Sequence, residues 1–278
     1  MLVSAAVCVA LCLLHSLLFV VFLAVHPQEH PPASLARNSP KAIVNRITLV
    51  AQSCTVSLAA TAAFIAHHRN CSLLEGMGHM GINSAFAQSI WTSSTLTISL
   101  FLGPIFYSWV GPQHSDSDGL LVNFRNLVFA PVAEELVFRS CIIPTLHLAG
   151  YSDTRAILEG SLWFGIAHMH HARELLRQGF TLKNVLFATC LTFTYTWLFA
   201  IFSAFILLKT GNIAGPIVSH MICNCTSFSS YTRLWVAGLV IYGITTLEYR
   251  KYLIIEIILF VHILGVALFV SWIYPLLA

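Results

Sequence analysis

Charge is what this chain has least of. Asp, Glu, Lys and Arg make up only 9% of its 278 residues, against roughly a quarter in soluble globular domains. Hydrophobic residues reach 57% and mean hydropathy is +0.80, which excludes an ordinary soluble domain and points to a polytopic membrane protein. The formal net charge of +3 is spread along the chain, so there is no basic patch for nucleic acid. A disulfide framework is excluded too, because the eight cysteines lie mostly inside apolar runs and read as small buried hydrophobes. Cys223-Asn224-Cys225 lacks the two-residue gap of a zinc knuckle and has no second pair. No internal repeat, low-complexity tail, retention tetrapeptide or prenylatable C-terminal cysteine is present.

Two hydrolase signatures are also missing. No G-x-S-x-G elbow surrounds Ser140 or Ser219, and no H-E-x-x-H occurs. His26-Pro27-Gln28-Glu29-His30 does spell H-x-x-E-H, but that pattern needs a helix to bring both histidines onto one face. Pro27, Pro31 and Pro32 oppose a helix there, so the stretch reads as a loop.

What is there is a series of apolar segments. Leu2 to His26 carries no charge and reads as a retained first span. Ile47 to Ala66, Ile90 to Val110 with a kink at Gly103-Pro104, Leu127 to Leu148, Ala156 to Ala172, Val185 to Leu208, Ile213 to Phe228 and Leu253 to Leu277 follow. Leu234 to Leu247 is short enough to be re-entrant. The expected fold is all-α, one domain over residues 1–278, built as a multi-pass bundle of about eight transmembrane helices. The intervening stretches, 67–88 and the polar run with Arg173, Glu174, Arg177 and Lys183, read as loops. Trp91, Trp109, Trp163, Trp235 and Trp272 lie near segment ends and suit interfacial anchoring. Glu256 and His262 in the last segment read as a polar contact between helices.

The few charges inside apolar segments are therefore informative, because an ionisable group in hydrocarbon is costly and normally faces a bundle interior or wet cavity. Glu134, Glu135 and Arg139 place three formal charges within six positions. Glu135 and Arg139 are four apart, so on a helix they share a face and can pair. Glu134 is turned about 100° away and is left for other work. Pro131 suits a first helical turn, which would put the glutamates near a helix N-terminus. His168 lies on a second segment, and His220 and Asn224 share a face of a third. Three such sites in one small bundle fit one convergent cavity. A carboxylate and a neutral imidazole can share and deprotonate a water, and an imidazole with a side-chain amide can donate to a developing oxyanion.

Glu134-Glu135-x-x-x-Arg139, Phe164-x-x-x-His168 and His220-x-x-x-Asn224, in this order, resemble the signature of the CPBP intramembrane proteases. Phe129-Ala130-Pro131, the run Phe164 to His171, and His220-Met221-Ile222-Cys223-Asn224 are similar to the type II CAAX prenyl endopeptidases of that family. The resemblance covers residues 124–228, which it marks as the catalytic core. It implies a multi-pass protein of the endoplasmic reticulum membrane that needs no metal or other cofactor. The implied reaction removes the last three residues of farnesylated or geranylgeranylated CAAX proteins, such as Ras-like GTPases, within the lipid bilayer. By motif position, Glu134 and His168 would activate water, His220 and Asn224 would stabilise the oxyanion, and Glu135 and Arg139 would support them. Phe164 and His171 are candidates for touching substrate. Two other readings stay open from the residues themselves: a zinc protease using His168, His171, His220 and Glu134, and a transporter or scaffold with buried ionisable groups.

Overall fold

The computed structural model describes residues 3–24, 38–110, 119–225 and 249–277. Among them every regular element is helical and there is no strand. The 26–30 motif, Asp116, Asp118, Trp235 and the 234–247 segment lie outside the described residues, as does the side chain of Glu256.

The elements are α1 (Ala5–Ala24), α2 (Pro40–Arg69), α3 (Leu73–His79), α4 (Phe86–Leu100), α5 (Leu102–Val110), α6 (Leu120–Phe124), α7 (Ala130–Glu135), α8 (Ile142–Leu148), α9 (Asp153–His168), α10 (His171–Arg177), α11 (Leu182–Thr210), α12 (Ala214–Cys225) and α13 (Tyr249–Leu277). Within these, Ala5–Phe22, Pro40–Arg69, Leu182–Thr210 and Phe260–Leu277 are long and apolar enough to cross a membrane. The remaining expected spans are shorter or interrupted: α9 has 16 residues and α12 has 12. The helix over Ile90 to Val110 breaks at Phe101, just before Gly103-Pro104, because proline removes a ladder donor and crowds the preceding turn. Two stretches expected as loops contain the short helices α3 and α10. α3 is set by a reciprocal capping box between Ser72 and Glu75.

Local chemistry explains the other boundaries. Ser39 caps α2 ahead of Pro40 at the first helical position, and Asn70 ends it at a φ of 53°. Thr181 caps α11, and Gly211 at a φ of 66° closes it. α6, α7 and α8 run end to end through two π-helical stretches, Arg125–Phe129 and Leu136–Cys141. Pro131 therefore follows a wider turn instead of opening a helix, so Glu134 and Glu135 sit in mid-helix and gain no terminal dipole. Such wide turns recur beside functional residues.

The core is packed around α8, α9 and α11, with α1 laid across α8 and α9. Phe138 joins Phe19 and Phe164 edge to face, with centroids 5.4 and 5.2 Å away. Polar groups on apolar helices turn inward: His15 on α1 reaches Thr61 on α2 at 3.1 Å.

A polar seam fixes α12 against α4. Ser89, Ser93 and Thr97 recur every four residues and so share one face of α4. Ser93 Oγ lies 2.7 Å from Ser219 Oγ and donates to the Gly215 carbonyl at 2.5 Å. Thr97 Oγ1 is 2.8 Å from Ser219 Oγ, and Ser89 Oγ accepts from Gly215 N at 3.0 Å. Such bonds between membrane helices are worth about 0.6–2 kcal/mol each. Gly215 permits the approach, since a Cβ there would meet the Ser89 hydroxyl and stand 2.9 Å from the Ser89 carbonyl. Gly215→Ala is therefore expected to cost about 1–3 kcal/mol through overpacking, read as a lower thermal unfolding midpoint in detergent. Gly78→Ala, where a Cβ meets nothing within 4 Å, is the control and should leave that midpoint close to the parent's.

Candidate active site

The two glutamates of α7 face different surroundings, as a helical step of about 100° requires. Glu135 is fully buried at 0% exposure, and Arg139 at 1%. Arg139 Nε lies 3.0 Å from Glu135 Oε2. Ser203 Oγ on α11 donates to the same oxygen at 2.6 Å and accepts from Arg139 Nε at 3.1 Å. The guanidinium rests 4.3 Å from the Phe164 ring centroid and 5.6 Å from that of Phe199. Nη1 and Nη2 of Arg139 are buried and have no hydrogen-bond partner among the described residues.

His220 bridges the glutamates. Its Nδ1 is 2.8 Å from Glu135 Oε1, and its Nε2 is 3.7 Å from Glu134 Oε2. An ionised carboxylate only accepts, so Nδ1 carries the proton given to Glu135, and Nε2 is the nitrogen turned towards Glu134. The polar seam to Ser219 positions this imidazole from the next residue along.

Glu134 instead lines a cleft of about 150 Å³ together with His168, His170 and His171. Phe19, Val20, Ile47, Val50 and Phe138 supply apolar lining, and Arg46, Arg125 and Asn126 complete the polar part. His168 Nδ1 donates to the Phe164 carbonyl at 2.8 Å, one turn back on α9. That bond leaves Nε2 as the basic nitrogen of the neutral ring. The His171 ring lies 6.1 Å from that of His168.

Glu134, His168 and His171 thus share one cleft, while Glu135, Arg139 and His220 form the wall behind it. Phe164, at 2% exposure, is not on the cleft lining but packs against His168 and His220, with centroids at 4.4 and 6.2 Å. Asn224 lies one turn beyond His220 and is exposed. Its amide donates to the Asn126 carbonyl at 3.0 Å, leaving the second N–H of the same amide. The donors of the zinc reading are divided between cleft and wall. Among the described residues no three His, Cys, Asp or Glu side chains are grouped to hold a metal ion.

Ser203 was not visible as a site residue in the sequence. It stands in the uncharged run Leu198 to Leu208, where a serine commonly bonds its own helix backbone. Arg46 and Arg125 each lie at the edge of an apolar segment, where a charge is ordinary and does not mark a site.

Residues 116–226 match the family model described as Type II CAAX prenyl endopeptidase Rce1-like. The human CAAX prenyl protease 2 is 35% identical over 150 residues, covering 48% of this chain and 45% of the human protein. The Schizosaccharomyces pombe probable CAAX prenyl protease 2 is 27% identical over 219 residues, 74% of this chain and 76% of its own length. The Saccharomyces cerevisiae CAAX prenyl protease 2 is 31% identical over 167 residues, 54% of this chain and 53% of its own. The chain thus spans about half the length of the human and budding-yeast relatives. No solved structure matches it.

Two ion pairs in this region differ in kind. Removing one partner of a buried pair leaves an uncompensated charge and costs about 3–5 kcal/mol, so Arg139→Ala should lower the thermal midpoint sharply. The exposed Arg155–Glu159 pair on α9, 2.6 Å apart, is worth about 0–1 kcal/mol. Arg155→Ala should barely move the midpoint, and equal shifts for the two variants would contradict this account.

Proposed function

We propose, from the match of residues 116–226 to the family model of Rce1-like type II CAAX prenyl endopeptidases, that the chain belongs to that family and is an intramembrane endopeptidase. It releases the last three residues of farnesylated or geranylgeranylated CAAX proteins, with Ras-like GTPases among its substrates. Residues 124–228 form the catalytic core of a single domain spanning 1–278, and the protein works in the endoplasmic reticulum membrane. The observation that carries this reading is the separation of the adjacent carboxylates: Glu134 lines a cleft with His168, while Glu135 is buried behind it and holds His220.

The chemistry follows from that arrangement. Glu134, with His168 Nε2 beside it in the cleft, takes a proton from water as the oxygen adds to the carbonyl carbon of the prenylated cysteine. The carbonyl oxygen becomes an oxyanion. His220, held in place by Glu135, and the second Asn224 N–H stabilise it. The C–N bond then breaks, the held proton passes to the departing nitrogen, and a tripeptide leaves the newly formed cysteine carboxylate. No covalent enzyme intermediate is required. A single prenyl chain binds bilayers weakly and reversibly, so a cleft within the membrane meets its substrate where the lipid already is.

Removing a group that transfers the proton costs about 10²–10⁴-fold. Glu134→Ala and His168→Ala should each lower kcat/KM by that order on a farnesylated CAAX peptide, at matched expression in membranes. Loss of an oxyanion donor costs about 10²–10³-fold in kcat, so His220→Ala should fall at least that far. Cleavage beside the prenyl cysteine that survives a chelator supports the glutamate mechanism. Full activity in Glu134→Ala would remove it, and chelator-sensitive activity restored by zinc alone would establish the metal reading.

A further inference from the structure

The cleft carries two arginines that the water-activating chemistry does not use, Arg46 of α2 and Arg125, at the start of the π-helical stretch before α7. We propose that Arg125, assisted by Arg46, binds the terminal carboxylate of the peptide substrate and so sets how far from the chain end the bond is cut. This rests on the peptidase reading above, and it deepens that reading.

The direction of the cleft can be worked out from contacts along it. Asn38, immediately before α2, accepts from Arg125 Nη2 at 3.2 Å. Further along α2, Cys54 Sγ donates to the Ala133 carbonyl at 3.6 Å. α2 and the helix bearing the glutamates therefore run side by side in the same direction. Arg46 precedes Cys54 by two turns, so both arginines belong to the end of the cleft away from Glu134.

The length also fits. Arg125 precedes Glu134 by nine residues, which is at most about 13 Å at the 1.5 Å rise of a regular helix and somewhat less with the π-helical turn Arg125–Phe129 between them. Three extended residues span about 10 Å. With the scissile carbonyl at Glu134, a terminal carboxylate three residues on arrives within reach of the Arg125 guanidinium. Its Nε donates to the Asn126 side chain at 2.9 Å, so Asn38 and Asn126 help to hold the guanidinium in place. Arginine suits this task because its planar donors match a carboxylate's two oxygens. The neighbouring His170 and His171 add no negative charge to that lining.

The test compares farnesylated peptides identical except for a free C-terminal acid or a C-terminal carboxamide. The parent protein is expected to cleave the acid about 10- to 100-fold more efficiently, the range for a hydrogen bond to a charged group. The difference should fall mainly on KM. Arg125→Gln should lower kcat/KM on the acid by a similar factor and bring acid and amide to the same rate. Arg46→Gln should narrow the gap in part. Equal cleavage of acid and amide by the parent, or an acid preference undiminished in both arginine variants, would overturn the carboxylate site while leaving the peptidase reading intact. Failure of the parent to cleave either peptide overturns the peptidase reading, and the carboxylate site with it.

Discussion

A carboxylate with no exposure to solvent is the constraint on which this structure depends. Glu135 is placed where charge is most costly, and it persists because donors from separate helices converge on it. Arg139 comes from one turn ahead, Ser203 from α11 and His220 from α12. Arg139 belongs to the same continuous helical run as Glu135, so it is Ser203 and His220 that tie the carboxylate to two further helices and settle the relative placement of α7, α11 and α12. The aromatic rings of Phe164 and Phe199 cover the guanidinium, which keeps water from competing for the pair. A buried network of this kind is weak evidence for net stability. What it defines is one arrangement of helices, since any other leaves a charge unpaired in an apolar bundle.

The same constraint explains why two adjacent glutamates do different work. The helical step that drives Glu135 into the wall turns Glu134 into the cleft, beside His168. The wider turns on either side of α7 shift the residues before and after it relative to a regular helix. His220 links the two sides by touching Glu135 with one nitrogen and facing Glu134 with the other. Its position in turn depends on the hydroxyl seam between α4 and α12, which carries no charge and lies wholly on the side away from the cleft lining. The catalytic geometry proposed above is thus held by serines, a threonine and a glycine that take no part in the chemistry.

Much of the fold was legible because membrane solvation acts on composition and period. The scarcity of charge identified an apolar helical protein, and the apolar runs located most of its long helices. The kink expected at Gly103-Pro104 is the interruption at Phe101, whereas the short helices α3 and α10 form in stretches read as loops. α3 is set by its capping box within a polar, glycine-bearing stretch, and helices of 7 residues carry too little apolar period to stand out from a loop.

The sequence by itself determined which residue types carry the site and which of them share a helix face. Glu135 with Arg139 and His168 with the Phe164 carbonyl are four residues apart, and that period is a local property of the backbone. Only the tertiary structure decided which carboxylate meets His220, 85 residues distant from Glu135, and that Ser203, 68 residues away, completes the same network. It also turned the amide of Asn224 towards Asn126, 98 residues away, and set Arg46 and Arg125 along the cleft that Glu134 lines. These pairings arise from helices packing side by side, and no periodicity along one chain segment encodes which neighbour another segment will have.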